Sequence, residues 1–203
     1  MNKDIYSDIA KRTEGDIYIG IVGPVRTGKS TFIKRFMDLM VLPNMEESPE
    51  KIRLQDELPQ SGTGKTITTT EPKFVPKNAA EIKLVDDISV NIRMVDCVGY
   101  MVDGATGHME EDVPRMVKTP WFEEDIPFVK AAEIGTKKVI KEHSTVGIVV
   151  TTDGSVTDIV RASYLDAEKE TIEELKEFNE LVSKKQGTLE DYFKQVADTE
   201  EEQ

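Results

Sequence analysis

Two short apolar runs stand out along the chain, and a segment with helical periodicity follows the first of them. Residues 17–22 and 146–151 are almost continuously apolar, which is typical of strands buried in a parallel sheet. Four apolar residues after the first run recur at helical spacing: Phe32, Ile33, Phe36 and Met40. We expect that helix to end near Pro43.

Three further segments show a regular pattern. Residues 81–96 alternate between apolar and polar positions around Asp86-Asp87, which predicts a hairpin. Residues 127–143 and 163–183 carry apolar residues at helical spacing. We interpret the many glutamates of the second helix as a solvated face.

Two long stretches, residues 44–80 and 97–124, have little periodicity, and we expect them to be loops. Strands that alternate with helices predict an α/β fold with a mostly parallel central sheet flanked by helices. In such folds the ligand binds at the carboxyl ends of the strands. We predict a P-loop domain over residues 1–163, followed by an acidic helical segment over residues 164–203.

The charge balance limits the classes of partner. The chain of 203 residues carries 39 acidic and 26 basic side chains, for a formal net charge of −13. Thirteen of the acidic residues lie within residues 164–203. A protein that binds nucleic acid needs clustered lysine and arginine, so we expect no nucleic-acid partner.

The single cysteine and the absence of long apolar runs point to a cytoplasmic protein. Cys97 has no second cysteine to pair with, which fits a reducing compartment. The first residues lack the apolar stretch of a secretory signal, and no apolar run is long enough to span a bilayer. We therefore expect any membrane association to be peripheral, through a partner.

Residues 23–30 read G-x-x-x-x-G-K-S, the phosphate-binding loop of P-loop nucleotidases. The glycines allow backbone N–H groups to line up on a polyphosphate, and the lysine supplies a charge to the β- and γ-phosphates. The loop lies between a predicted strand and a predicted helix, whose N-terminus favours an anion. We predict nucleotide contacts from Gly23, Pro24, Val25, Arg26, Thr27, Gly28, Lys29, Ser30 and Thr31.

A second motif, D-x-x-G, follows the predicted hairpin. Asp96 ends a strand and Gly99 stands three residues later. A carboxylate at that position can hold Mg²⁺ through water, and the backbone N–H of Gly99 can approach the γ-phosphate. We therefore predict Mg²⁺ ligation by the Ser30 hydroxyl and by Asp96.

A threonine between these two motifs completes the Mg²⁺ shell in P-loop switch proteins. Four threonines compete for this role, and the residues alone do not choose among them: Thr66, Thr68, Thr69 and Thr70. A threonine-rich β-edge without catalytic duty is the alternative.

The base and the attacking water lack their usual recognition elements. No Asn-Lys-x-Asp follows residue 150, so guanine specificity is unsupported. Tyr100 replaces the glutamine that orients water in many GTPases. The residues predict a Mg²⁺-dependent P-loop nucleotidase and leave its base open; a GTPase-type switch and a non-catalytic structural subunit are the alternatives to an ATPase.

Together these stretches resemble the stage IV sporulation protein A family, whose members build the basement layer of the bacterial spore coat. The resemblance extends from about residue 4 to residue 178. It rests on strings including Val-Arg-Thr-Gly-Lys-Ser-Thr-Phe-Ile-Lys (25–34), Gln-Asp-Glu-Leu-Pro-Gln-Ser (55–61), Thr-Thr-Glu-Pro-Lys-Phe-Val-Pro (69–76), Val-Asp-Cys-Val-Gly-Tyr (95–100) and Ala-Ala-Glu-Ile-Gly-Thr (131–136). Beyond residue 178 the pattern predicts no strand, whereas the family continues into one.

The resemblance implies an ATPase with a fold similar to translation-factor GTPases. It implies that Lys29 is the phosphate-loop lysine, that Thr69 and Thr70 are sensor threonines, and that Asp96 is the Walker B aspartate. Catalysis is thereby assigned to these four residues, and Mg²⁺ ligation to Ser30, Thr70 and Asp96. The implied partners are further copies of the chain, a small amphipathic membrane-bound peptide and other coat proteins. The implied location is the mother-cell side of the forespore outer membrane.

Overall fold

The computed structural model describes residues 15–59, 70–85, 88–155 and 157–184. Its central sheet has four strands: β1 (Asp16–Val22), β2 (Lys73–Val85), β3 (Ile88–Asp96) and β8 (Val146–Val149). Their order is β2-β3-β1-β8; β1 is parallel to β3 and to β8, and β2 is antiparallel to β3. The described sheet is therefore mixed, with three parallel strands and an antiparallel strand at one edge.

Helices flank this sheet. Helix α1 (Lys29–Phe36) continues through a π-helical turn (Met37–Val41) and a 3₁₀ turn (Leu42–Asn44), and α2 covers Pro49–Glu57. Helix α3 spans Phe128–Lys141, and a 3₁₀ turn (Arg161–Tyr164) leads into α4 (Leu165–Lys184). None of the helices in the described ranges is both long and apolar enough to cross a bilayer.

The predicted strands, the hairpin and the three predicted helices are present, but the buried face of the first helix differs from the prediction. Phe32 is 36% exposed and Met40 is 55% exposed. Of the predicted residues, Ile33 is fully buried, and it enters the core together with Met37 and Val41, at i, i+4 and i+8. Two sets of apolar residues have this spacing: Phe32, Phe36 and Met40, and Ile33, Met37 and Val41. Packing against the sheet buries the second set.

The two predicted loops contain secondary structure, which corrects the prediction. Ser48 caps α2 by accepting a hydrogen bond from the Lys51 N–H at 3.3 Å, and Pro49 occupies the first turn. Leu54 is the one buried residue of this helix, so its sequence has no apolar stripe from which the helix could be predicted. Strand β2 also begins earlier than predicted, at Lys73.

The second predicted loop holds four short strands in two hairpins. Strands β4 (Met109–Glu110) and β5 (Val113–Pro114) form one hairpin, and β6 (Met116–Thr119) and β7 (Phe122–Pro127) form the other. Most of their residues are exposed, so the apolar alternation of a half-buried strand is absent.

The glutamates of α4 are not simply solvated. Glu174 pairs with Lys137 at 3.1 Å and with Lys141 at 3.0 Å, and both lysines belong to α3. Ala167 and Phe178 are buried on the same helix. Helix α4 therefore packs on the domain, and the predicted division at residue 163 stays a prediction.

Candidate nucleotide site

The predicted phosphate loop connects the end of β1 to the start of α1. Residues 23–25 are buried, whereas Gly28 and Ser30 are exposed. Arg26 has a positive φ of 60°, and Gly28 caps the helix with φ 92°. The Thr27 hydroxyl donates to the Pro24 carbonyl at 3.0 Å, so the loop is held by its own hydrogen bond. This arrangement leaves the N-terminus of α1 open to solvent.

Lys29 extends back over the loop. Its Nζ donates to the Pro24 carbonyl at 2.6 Å and to the Gly23 carbonyl at 3.3 Å, and the residue is only 5% exposed. Burial lowers the pKa of Lys29, while the neighbouring Cys97 and Asp96 side chains oppose that shift. A cation in this position is little screened by water and strongly favours an anion beside the loop.

Asp96 reaches Ser30 from the end of β3. The Ser30 hydroxyl donates to Asp96 Oδ2 at 2.6 Å, whereas Asp96 Oδ1 is buried without a hydrogen-bond partner among the described residues. Burial raises the pKa of Asp96; the bond from Ser30 and the charge of Lys29 act against it. A hydroxyl beside a carboxylate oxygen that lacks a partner fits a hard cation such as Mg²⁺.

The D-x-x-G turn is tied to the phosphate loop by backbone contacts. The Val25 N–H donates to the Tyr100 carbonyl at 2.8 Å. Gly99 has a φ of 93°, and a Cβ atom there would collide with the Gly23 carbonyl oxygen and lie 2.6 Å from Lys29 Nζ. Only glycine permits this approach, which explains the residue at that position.

The Tyr100 side chain is buried inside the protein. It packs in a cluster with Val25, Tyr164 and Ala167. The hydroxyl has no hydrogen-bond partner among the described residues. Burial, followed by the charge of Glu174, raises the pKa of Tyr100. The side chain therefore packs the turn against Val25 of the loop and Ala167 of α4.

Three predicted site residues remain: Thr31, Thr69 and Thr70. Thr70 is buried, with its carbonyl oxygen close to Gly135 of α3. The described contacts do not join it to the Ser30–Asp96 pair, so its metal role stays a prediction. Thr69 lies outside the described residues. Thr31 is exposed on α1.

One neighbour of the site was missed by sequence reasoning. Lys73 stands directly opposite Asp96 in the β2–β3 register, so the two side chains share one face of the sheet. The hairpin pattern alone would not have found it: extending the Ala80–Ile92 register to Asp96 reaches Pro76, and an irregularity between Val75 and Ala80 shifts the partner to Lys73.

The chain matches a characterised family over most of its length. Residues 1–184 match the family model described as "Stage IV sporulation protein A, ATPase domain". The chain is similar to stage IV sporulation protein A of Bacillus subtilis (63% identical over 174 residues, 86% of this chain) and of Clostridioides difficile (63% over 176 residues, 87%). It is also similar to that of Bacillus anthracis (61% over 174 residues, 86%).

The matched region is a part of each relative. The chain covers 35%, 36% and 35% of the lengths of these three proteins, about a third in each case. No solved structure matches the chain. With a family model covering most of its residues and identities above 60%, the chain belongs to the stage IV sporulation protein A family and carries that family's ATPase domain.

Proposed function

We propose that the chain binds Mg·ATP at the phosphate loop and hydrolyses it slowly, and that hydrolysis drives self-assembly of the spore coat basement layer. The observation that carries the proposal is the Ser30–Asp96 hydrogen bond beside the buried Lys29. It places a hydroxyl, a carboxylate and an ammonium group at the N-terminus of one helix. The order β2-β3-β1-β8, with an antiparallel edge strand, supports a fold of the translation-factor GTPase type.

In the proposed reaction, the oxygen of a water molecule forms a bond to the γ-phosphorus. The bond between that phosphorus and the β–γ bridging oxygen breaks, ADP leaves with the electron pair, and a proton passes to solvent. Lys29, Arg26 and the loop N–H groups would stabilise the negative charge on the phosphates. Thr69 or Thr70 would position the water.

Ser30 and Asp96, with Thr70, would hold Mg²⁺. The bound ion neutralises charge on the phosphate oxygens. Asp96 is ready for this role because its Oδ1 is buried without a partner among the described residues. A cation would compensate the cost of burying that carboxylate.

The proposed assembly partners are further copies of the chain. The proposed docking partners are a small amphipathic membrane-bound peptide and other coat proteins. By this proposal the protein works on the cytoplasmic, mother-cell side of the forespore outer membrane. The absence of a guanine-reading motif from the sequence favours ATP over GTP.

The test is phosphate release from ATP and from GTP, measured side by side. Lys29→Ala should abolish ATP turnover, because it removes the buried cation of the loop. Lys34→Ala is the matched control, since this lysine lies on the same helix outside the loop. Equal turnover of GTP would contradict the nucleotide assignment, and full activity in Lys29→Ala would contradict the site.

A further inference from the structure

An open cleft lies beside the candidate nucleotide site. It has a volume of about 470 Å³ and lies between the start of β2 and the β6–β7 hairpin. One wall carries Thr70 and Lys73, and the other carries Arg115 and Lys118. Neither the phosphate loop nor the D-x-x-G turn lines it.

The cleft is cationic in an acidic protein. Three basic side chains and one carboxylate, Glu71, line it, whereas the whole chain has a net charge of −13. Lys73 and Lys118 are exposed, and neither forms an ion pair within the described ranges. The positive cleft attracts a small anion, whereas a large acidic surface would also meet the negative charge of the rest of the protein and be repelled by it.

Arg115 is held in place at the cleft. One guanidinium N–H donates to the Gly107 carbonyl at 3.0 Å, and the guanidinium carbon lies 4.6 Å from the centre of the Phe128 ring. Its own carbonyl accepts a hydrogen bond from the Phe128 N–H at 2.7 Å. A guanidinium fixed in this way loses little freedom on binding, and its geometry suits phosphate oxygens.

Lys73 links the cleft to the metal site. It is the register partner of Asp96 across the β2–β3 ladder, and the two side chains lie on the same face of the sheet. Lys73 therefore borders both Asp96 and the cleft.

We propose that this cleft binds inorganic phosphate released by hydrolysis, as an exit site next to the nucleotide site. The proposal rests on the proposed ATPase function for the origin of the phosphate. Phosphate carries between one and two negative charges near neutral pH and has several acceptor oxygens, which match two ammonium groups and one guanidinium. No bond is made or broken in the cleft.

The first experiment is a titration of the nucleotide-free protein with inorganic phosphate, followed by ³¹P line broadening. Binding should persist in Lys29→Ala, which alters the phosphate loop, and should weaken roughly fivefold in Lys118→Ala, the loss of about one partly solvated charge pair. Lys130→Ala is the matched control, because Lys130 is exposed on α3 and does not line the cleft. Circular dichroism verifies folding.

Loss of binding in Lys29→Ala with no effect of Lys118→Ala would overturn the proposal, since phosphate would then occupy the phosphate loop. Equal weakening in Lys118→Ala and Lys130→Ala would also overturn it, because only diffuse charge would be involved.

The source of the phosphate is tested by repeating the titration with ADP and with a non-hydrolysable ATP analogue. Binding that persists with both supports an exit site for free phosphate. Competition by the analogue alone would overturn that assignment, because the cleft would then hold the γ-phosphate of bound ATP. Hydrolysis is measured separately from phosphate binding. A chain that binds phosphate in the cleft but does not hydrolyse ATP would refute the proposed function and would still support the cleft as a phosphate-binding site.

Discussion

Replacing Gly99 with alanine would place a methyl group where the D-x-x-G turn comes closest to the phosphate loop. Two costs follow from the structure. The φ of 93° lies in the left-handed region, where an alanine loses about 1–2 kcal/mol. The methyl group would also collide with the Gly23 carbonyl oxygen and crowd Lys29 Nζ at 2.6 Å, an overpacking cost of about 1–3 kcal/mol. We therefore expect a loss of about 2–5 kcal/mol in the free energy of unfolding.

Gly15→Ala is the matched control. Gly15 has a similar φ of 87°, but no heavy atom of the described residues lies within 4 Å of the position that an added Cβ would take. This variant should lose only the conformational part, about 1–2 kcal/mol. Urea unfolding followed by the fluorescence of Trp121, the single tryptophan, measures both variants. Equal losses in the two variants would refute the close approach of Gly99 to the loop.

Two further predictions concern buried groups outside the loop. Tyr100→Phe removes a buried hydroxyl that has no hydrogen-bond partner among the described residues, so urea unfolding should show unchanged stability or a gain of about 1 kcal/mol; a clear loss would reveal a partner. Burial lowers the pKa of His143. Its ring lies edge-on to the Phe74 ring, with the two ring centres 5.5 Å apart. Because the unfolded chain then binds more protons, stability should be lost as the pH falls below about 6.5. His143→Gln should flatten that dependence in urea unfolding between about pH 5 and 7, and an unchanged slope would contradict this assignment.

The elements that sequence reasoning missed share a physical cause. Helix α2 is specified by the Ser48 cap and Pro49, while only Leu54 is buried, so a search for apolar stripes overlooks it. Most residues of the β6–β7 hairpin are exposed, and its sequence shows no alternation of apolar and polar residues. Periodicity reports burial, and elements with little burial leave little periodicity.

Residues 23–30 could be predicted as a phosphate loop from the sequence alone, because they are contiguous and each acts through local backbone geometry and its own side chain. The sequence also predicted β1, the β2–β3 pairing and helix α3, whose buried face is specified by apolar spacing. Helix α4 was predicted as well, but Leu165 and Ile172 of its apolar pattern are exposed, and Ala167, Thr171 and Phe178 are buried instead.

The distant groups that meet this loop could not be identified from the sequence, because they come together through the tertiary fold. The Ser30–Asp96 hydrogen bond joins residues 66 positions apart, and it depends on the parallel register of β1 and β3. The same holds for Lys73 opposite Asp96 and for the burial of Tyr100. Register and packing arise from the simultaneous fit of many side chains, so no local pattern encodes them.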